Sequence, residues 1–281
     1  MIKFGPSGNS EAFTLAGLVH TEDSAKWVAD LGLNAFEYSF GRGVRITTEK
    51  ANKIGEKMRE YGIEISGHAP YYINFANPDD EMAEKSYGYV LDSARAVRDF
   101  GGKRVIIHPA TQGKMERSEA VALTIERLKK LRDYIYLNGY QDMLFCLETM
   151  GKHAQIGTTE EIVEFCKVDK IYLPCIDFGH VNAREGGSLK RVEDFDKILD
   201  LMINELGYER VKHFHVHFSK IMYSSKGEIK HLTFEDDTYG PNFEPLALSL
   251  KKRGLEPVII CESAGTQDRD AKICKEIYNK N

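Results

Sequence analysis

The strongest constraint on the fold is an alternation: short runs of β-branched and aromatic residues recur between longer stretches with helical periodicity. This is the pattern of βα units around a parallel sheet. Eight such runs occur, IKFGPS (2–7), NAFEYSF (34–40), IEISGH (63–68), KRVIIH (103–108), MLFCLET (143–149), YLPCID (172–177), VKHFHVH (211–217) and PVIICE (257–262). Between them lie amphipathic stretches such as 80–100, 116–138 and 191–205, with a last one at 268–279. Eight units in 281 residues of 42% hydrophobic composition predict an α/β chain closed into one (β/α)8 TIM barrel, a single domain over 1–281. Thr158 and Thr159 precede the acidic EEIVEFC segment, and Gly32, Gly62 and Gly254 follow helical patterns, as helix starts and stops do. The longest stretch with no regular pattern, 218–242, follows the seventh strand, and long barrel loops usually carry function.

What ends each strand is more informative than the strands themselves. Strand 3 ends in His68, strand 4 in His108, strand 5 in Glu148, strand 6 in Asp177 with His180 just beyond, strand 7 in His215 and His217, and strand 8 in Glu262. In a barrel these ends converge on one mouth, where active sites of the fold sit. A lone histidine or aspartate there is more often a hydrogen-bonded structural group. Six strands in succession are harder to explain, because so many buried ionisable groups need partners to offset desolvation. Clustered cations would supply that offset. Imidazole and carboxylate without clustered thiolate is a ligand set for zinc, manganese or iron. Glu37, at the end of strand 2, points to the same mouth, either as a metal ligand or in a supporting or substrate-binding role, whereas His20 and His153 read as bystanders.

The run KHFHVHFSK (212–220) places histidines at 213, 215 and 217. With the strand period of two they share the inner face, while Phe214, Val216 and Phe218 pack outward. Along the strand, His213 lies a layer deeper than His215, in a structural role, and His217 a layer higher.

Bulk properties narrow the function. A net charge of −5 gives no general basic footprint for nucleic acid, so any polyanion site must be local or metal-based. Cys146, Cys166, Cys175, Cys261 and Cys274 form no CxxC pair and read as small buried hydrophobes, which fits a reducing cytoplasm. The opening MIKFGPSGNS lacks the basic and apolar regions of a signal peptide, and no run approaches 18 apolar residues. A soluble, cytoplasmic monomer with no membrane partner is expected.

Taken together, GHAPYYIN (67–74), IIHPA (106–110), CLETMGKHAQIG (146–157), CIDFGHVNA (175–183), FHVHFSK (214–220) and ICES (260–263) resemble the endonuclease IV family of abasic-site DNA repair enzymes, within the xylose-isomerase-like barrels. The resemblance runs along essentially the whole chain. It implies a centre of two or three zinc ions, with manganese or iron open at one site, that cuts double-stranded DNA 5′ of an abasic site. His68 and His108 would hold one metal and Glu148 would bridge to a second. Asp177, His215 and Glu262 would complete the second, and His180 and His231 would hold the third. A hydroxide bridging the metals would attack phosphorus while a neighbouring metal stabilises the departing 3′ oxyanion. Tyr71 matches an aromatic that packs at the lesion, and Arg42 and Arg45 lie on the loop after strand 2, where family members push side chains into DNA.

One departure stands out. The family pattern has an aspartate two residues before the last histidine, where this chain has Ile229-Lys230-His231. Glu228 is adjacent but has the wrong strand parity for the same face, so His217 is expected to fill the vacancy. Two other readings compete. Glu148, Asp177, His215 and Glu262 also match the single-metal quartet of sugar isomerases and epimerases on this barrel, whose two glutamates move a proton beside the sugar carbonyl. The third reading is a metal-stabilised barrel that binds a ligand without turnover. The surplus of His68, His108, His180 and His231 favours several metals over one.

Overall fold

The computed structural model describes residues 1–281. Its main sheet contains β1 (Lys3–Pro6), β2 (Ala35–Ser39), β3 (Glu64–His68), β4 (Arg104–Ile107), β5 (Leu144–Glu148), β6 (Tyr172–Asp177), β7 (His215–Phe218) and β8 (Val258–Cys261). From β2 to β8 each strand pairs in parallel with its neighbours in sequence, and β8 returns to pair with β1. The last seam, β1 to β2, is made by a Ser7–Glu37 bridge and by the Asn34 N–H donating to the Phe4 carbonyl at 3.0 Å. Gly5 makes that closure possible, because a Cβ there would stand 1.8 Å from the Ala35 carbonyl oxygen. The expected (β/α)8 barrel is therefore the observed fold.

Eight helices cover the outside: α1 (Ser24–Asp30), α2 (Thr48–Glu60), α3 (Asp80–Asp99), α4 (Arg117–Leu137), α5 (Thr159–Cys166), α6 (Val192–Leu206), α7 (Phe243–Arg253) and α8 (Gln267–Lys280). Their starts follow the sequence signals: Thr158 and Glu161 form a reciprocal capping box at α5, and Gly254 ends α7 in the left-handed conformation. Phe214, Val216 and Phe218 are fully buried in the main core, which includes residues from both the strands and the covering helices. All five cysteines are buried and unpaired by disulfides. No helix is long and apolar enough to cross a membrane.

Two expectations are corrected here. The seventh strand starts at His215, not at 211, because residues 208–211 form a helical turn. His213 is consequently exposed outside the barrel, its Nδ1 3.2 Å from the Glu256 carbonyl, rather than one layer down inside it. The 218–242 stretch is not structureless either: Ile221–Ser224 and Gly227–His231 form an antiparallel hairpin that folds over the mouth and bridges to Lys152.

Inside the ring, side chains change character with height. Lys3 and Arg104 pair with Glu64 towards the N-terminal ends of the strands, and Ala35, Val258 and Ile260 form a small apolar cluster. Above these, the inner positions become polar.

Candidate metal centre

The first polar layer is closed to solvent. Glu37 accepts from Ser66 Oγ at 2.8 Å and faces His217 Nε2 at 2.9 Å and His215 Nε2 at 3.1 Å. Glu37, His215 and His217 are all fully buried. The two imidazoles hold the Glu37 carboxyl well below its usual range against the opposing effect of burial, and burial pushes His215 down.

Directly above, Glu148 is the hub. Its Oε2 lies 3.1 Å from both His68 Nε2 and His108 Nε2, and its Oε1 lies 3.3 Å from both His180 Nδ1 and His217 Nδ1. Five groups of donor atoms result, the atoms of each lying within 4.8 Å of one another: His68, His108 and Glu148; Glu148, Asp177, His217 and Glu262; His180, Glu228 and His231; His68, His217 and Glu262; and, one layer lower, Cys175, His215 and His217. The local sequence explains the aim of several of these. Asp177 caps the short helix Phe178–Arg184, where its Oδ1 accepts from the His180 N–H at 2.8 Å, so the i, i+3 spacing brings both side chains to the mouth. Outer hydrogen bonds orient the rings: His68 Nδ1 to the Ala69 carbonyl at 2.8 Å, His180 Nδ1 to the Thr149 carbonyl at 3.0 Å, and His231 Nδ1 to Ser219 Oγ at 2.8 Å.

These donors fit metal ions. With Nδ1 of His68 donating to a carbonyl, Nε2 meets a carboxylate oxygen at 3.1 Å, an arrangement that needs either a metal ion or a second ring proton between the two. Glu148 Oε1, Asp177 Oδ2 and His217 Nδ1 are buried with no hydrogen-bond partner. Tetrahedral ligands at ~2.1 Å from an ion sit ~3.4 Å apart, close to the 3.1–3.5 Å gaps between imidazoles and carboxylates here. Without metal charge, protons must take its place. Burial pulls His68 down, but Glu148, Glu37 and Glu262 outweigh it and lift the ring to about 9. Burial likewise opposes His180, which Asp177, Glu148 and Glu228 lift to about 10. Asp177 is pushed up by burial, with Glu262 adding to the effect, whereas Glu148 is held well below the carboxylate range, chiefly by His108 and His217 against burial.

The structure redistributes three sequence assignments. His215 lies one layer too low to join Glu148, Asp177 and Glu262; His217 occupies that position, with Nδ1 3.5 Å from Glu262. Having that place, His217 does not fill the vacancy beside His180 and His231, where Glu228 Oε2 instead faces His180 Nε2 at 3.4 Å. Glu37 touches no substrate-accessible space and acts by orienting His215 and His217.

The cavity above the cluster has a volume of about 330 Å³ and is lined by Ser7, Ser39, Gly41, His68, Ala69, Tyr71, His108, Met150, Lys152, Gln155, His180, Glu228, His231 and Glu262. Tyr71 is on its wall and exposed, and Lys152 is its one lysine or arginine. Arg42 does not reach this cavity. It lines an adjoining pocket with Arg45 and Lys50 that shares Ser39 with the mouth.

Fold and site together define a TIM barrel with a histidine- and carboxylate-rich mouth whose donor groups could hold metal ions. The chain belongs to the xylose isomerase-like TIM barrel family, whose model matches residues 25–277. An uncharacterized protein of Methanocaldococcus jannaschii is 32% identical over 95% of this chain and 97% of its own length. The probable endonuclease 4 of Staphylococcus carnosus is 30% identical over 59% of this chain, and the match spans 55% of that relative. Among solved structures, a D-tagatose 3-epimerase-like protein superposes with a TM-score of 0.74 at 20% identity, covering 99% of this chain and 96% of its own. Endonuclease IV from Thermus thermophilus superposes with 0.66 at 17% identity, covering 99% and 100%. At these identities the structural likenesses establish the shared barrel.

Proposed function

We propose that this chain is a metal-dependent phosphodiesterase that cuts DNA on the 5′ side of abasic sites, with zinc as the metal. The observation that carries this reading is the number of donor groups: His68, His108, His180 and His231 surround the quartet Glu148, Asp177, His217 and Glu262, more donors than the single cation of a sugar epimerase would use. His68 and His108 would hold one ion and share Glu148 with a second; Asp177, His217 and Glu262 would complete the second. When bound, such ions polarise a phosphoryl oxygen and lower the pKa of water.

The chain's own groups do the rest. Glu148 is buried, so it holds the cluster together and stays out of substrate contact. Glu262 opens on the cavity and is placed to orient the attacking water and take its proton. Lys152 supplies fixed positive charge for the phosphate, and Tyr71 offers an aromatic face to the exposed sugar or neighbouring base. The chain is acidic overall, so this local charge, rather than a general basic surface, must draw the phosphate in.

The test is incision of an end-labelled duplex carrying one abasic site by zinc-loaded protein. The expected product ends in a 3′-hydroxyl immediately 5′ of the lesion, and Glu262→Gln slows its formation by at least ~100-fold. A second reading, a ketose epimerase, draws on the quartet Glu148, Asp177, His217 and Glu262, in which two glutamates accompany one potential cation position. Epimerisation at a ketose carbon by the same preparation, with no incision, would decide for it.

A further inference from the structure

We infer that Glu228 is a metal ligand: together with His180 and His231 it forms a third cation site that closes only because the hairpin over the mouth carries a β-bulge. This rests on the multinuclear reading above. In a regular strand Glu228 and His231, three residues apart, would point to opposite faces. Here Lys230 pairs with Met222 and Glu228 pairs with Tyr223, so Ile229 is an extra, unpaired residue. A bulge of this kind reverses the parity on either side of it. Glu228 thereby joins His231 on the face that looks down on His180, while Ile229 is left 53% exposed.

Three further observations point to a ligand at this place. Glu228 is mostly buried, and its one ion-pair partner is the imidazole of His180 at 3.4 Å, although Lys226 and Lys230 lie two residues away on either side. The outer nitrogens of His180 and His231 are committed to Thr149 and Ser219, which leaves each ring one free nitrogen for the site. The floor is cut to fit: a Cβ at Gly151 would stand 2.7 Å from Glu228 Cβ, 2.9 Å from its Oε2 and 2.9 Å from His180 Cδ2. The hairpin is also pinned there, with the Glu228 N–H donating to the Gly151 carbonyl at 3.1 Å. Two of the three donors ride on the hairpin, so this ion ties the hairpin to the barrel and is the first to leave under chelation.

The experiment is native mass spectrometry of the full chain, stripped with chelator and titrated with Zn²⁺. The wild type is expected to take up three ions, Glu228→Gln two and His231→Ala two, while Lys230→Ala on the outer face keeps three. The double variant Glu228→Ala, Ile229→Asp is expected to stay at two, since residue 229 faces solvent. Matching melting curves of chelated wild type and chelated Glu228→Gln separate a lost ligand from a disordered hairpin. Three ions in Glu228→Gln, or two in the wild type, overturn the assignment of Glu228. One ion in the wild type removes the multinuclear reading itself. Recovery of the third ion by Ile229→Asp overturns the bulge argument.

Discussion

His215 and His217 are chemically alike, both fully buried and both within hydrogen-bonding reach of Glu37, yet their replacement should have separable consequences. His215→Ala removes one imidazole from Glu37, which keeps Ser66 at 2.8 Å and His217 at 2.9 Å. His215 Nε2 approaches Glu37 at 3.1 Å without a hydrogen bond, so the main loss is the void left by the ring, ~1–2 kcal/mol. The expected cost is a fall of roughly 2–8 °C in melting temperature, with every zinc retained. His217→Ala loses a true hydrogen bond to Glu37, worth ~1.5–3 kcal/mol, and also the nitrogen that faces Glu148 at 3.3 Å and Glu262 at 3.5 Å. It should bind one zinc fewer. At a metal concentration a hundredfold above Kd, the lost linkage is worth ~2.7 kcal/mol, so the melting temperature of His217→Ala should respond less to zinc than those of wild type and His215→Ala. Melting curves with and without zinc, alongside metal content per chain, read both effects. Loss of an ion from His215→Ala with full content in His217→Ala would refute the layer assignment.

Other consequences are as direct. The chelated protein should lose stability as pH rises from 6.5 towards 10, because the raised folded-state pKa values of His68 and His180 favour the fold only while the rings are protonated. A rise from 6.5 to about 9 at His68 corresponds to ~3 kcal/mol at ~1.4 kcal/mol per unit; urea melts across that range check it, and zinc should abolish the dependence. Gly5→Ala should cost at least ~3 kcal/mol, since its methyl would meet the Ala35 backbone at 1.8 Å and force open the β1–β2 seam; a denaturant midpoint equal to wild type would contradict this. Gly151→Ala should displace Glu228 and lower zinc content by one ion with little change in the melting temperature of the chelated protein, checked by metal analysis and calorimetry.

The barrel was legible in the sequence because eight short β-branched and aromatic runs and their punctuation are local signals, and the mouth was legible because His68, His108, Glu148, Asp177 and Glu262 stand at or just beyond the ends of those runs. What escaped was height and parity. Residues 215 and 217 share a face, so a shift of two along β7 preserves the alternation while moving every side chain by one layer. Only the pairing of His217 with Asp177 and Ile260 fixes which histidine meets the carboxylates. Glu228 was missed for the converse reason: strict alternation excludes it, and the bulge at Ile229 that readmits it leaves no pattern of its own in the sequence. The buried role of Glu37 likewise depends on two histidines far away in the chain.

The most direct test of a multinuclear centre is anomalous X-ray scattering at the zinc edge from crystals of the metal-loaded protein. Three peaks are expected at the mouth: one between His68, His108 and Glu148, one among Glu148, Asp177, His217 and Glu262, and one between His180, Glu228 and His231. A single peak confined to the quartet would contradict the multinuclear centre and leave a one-metal enzyme in its place.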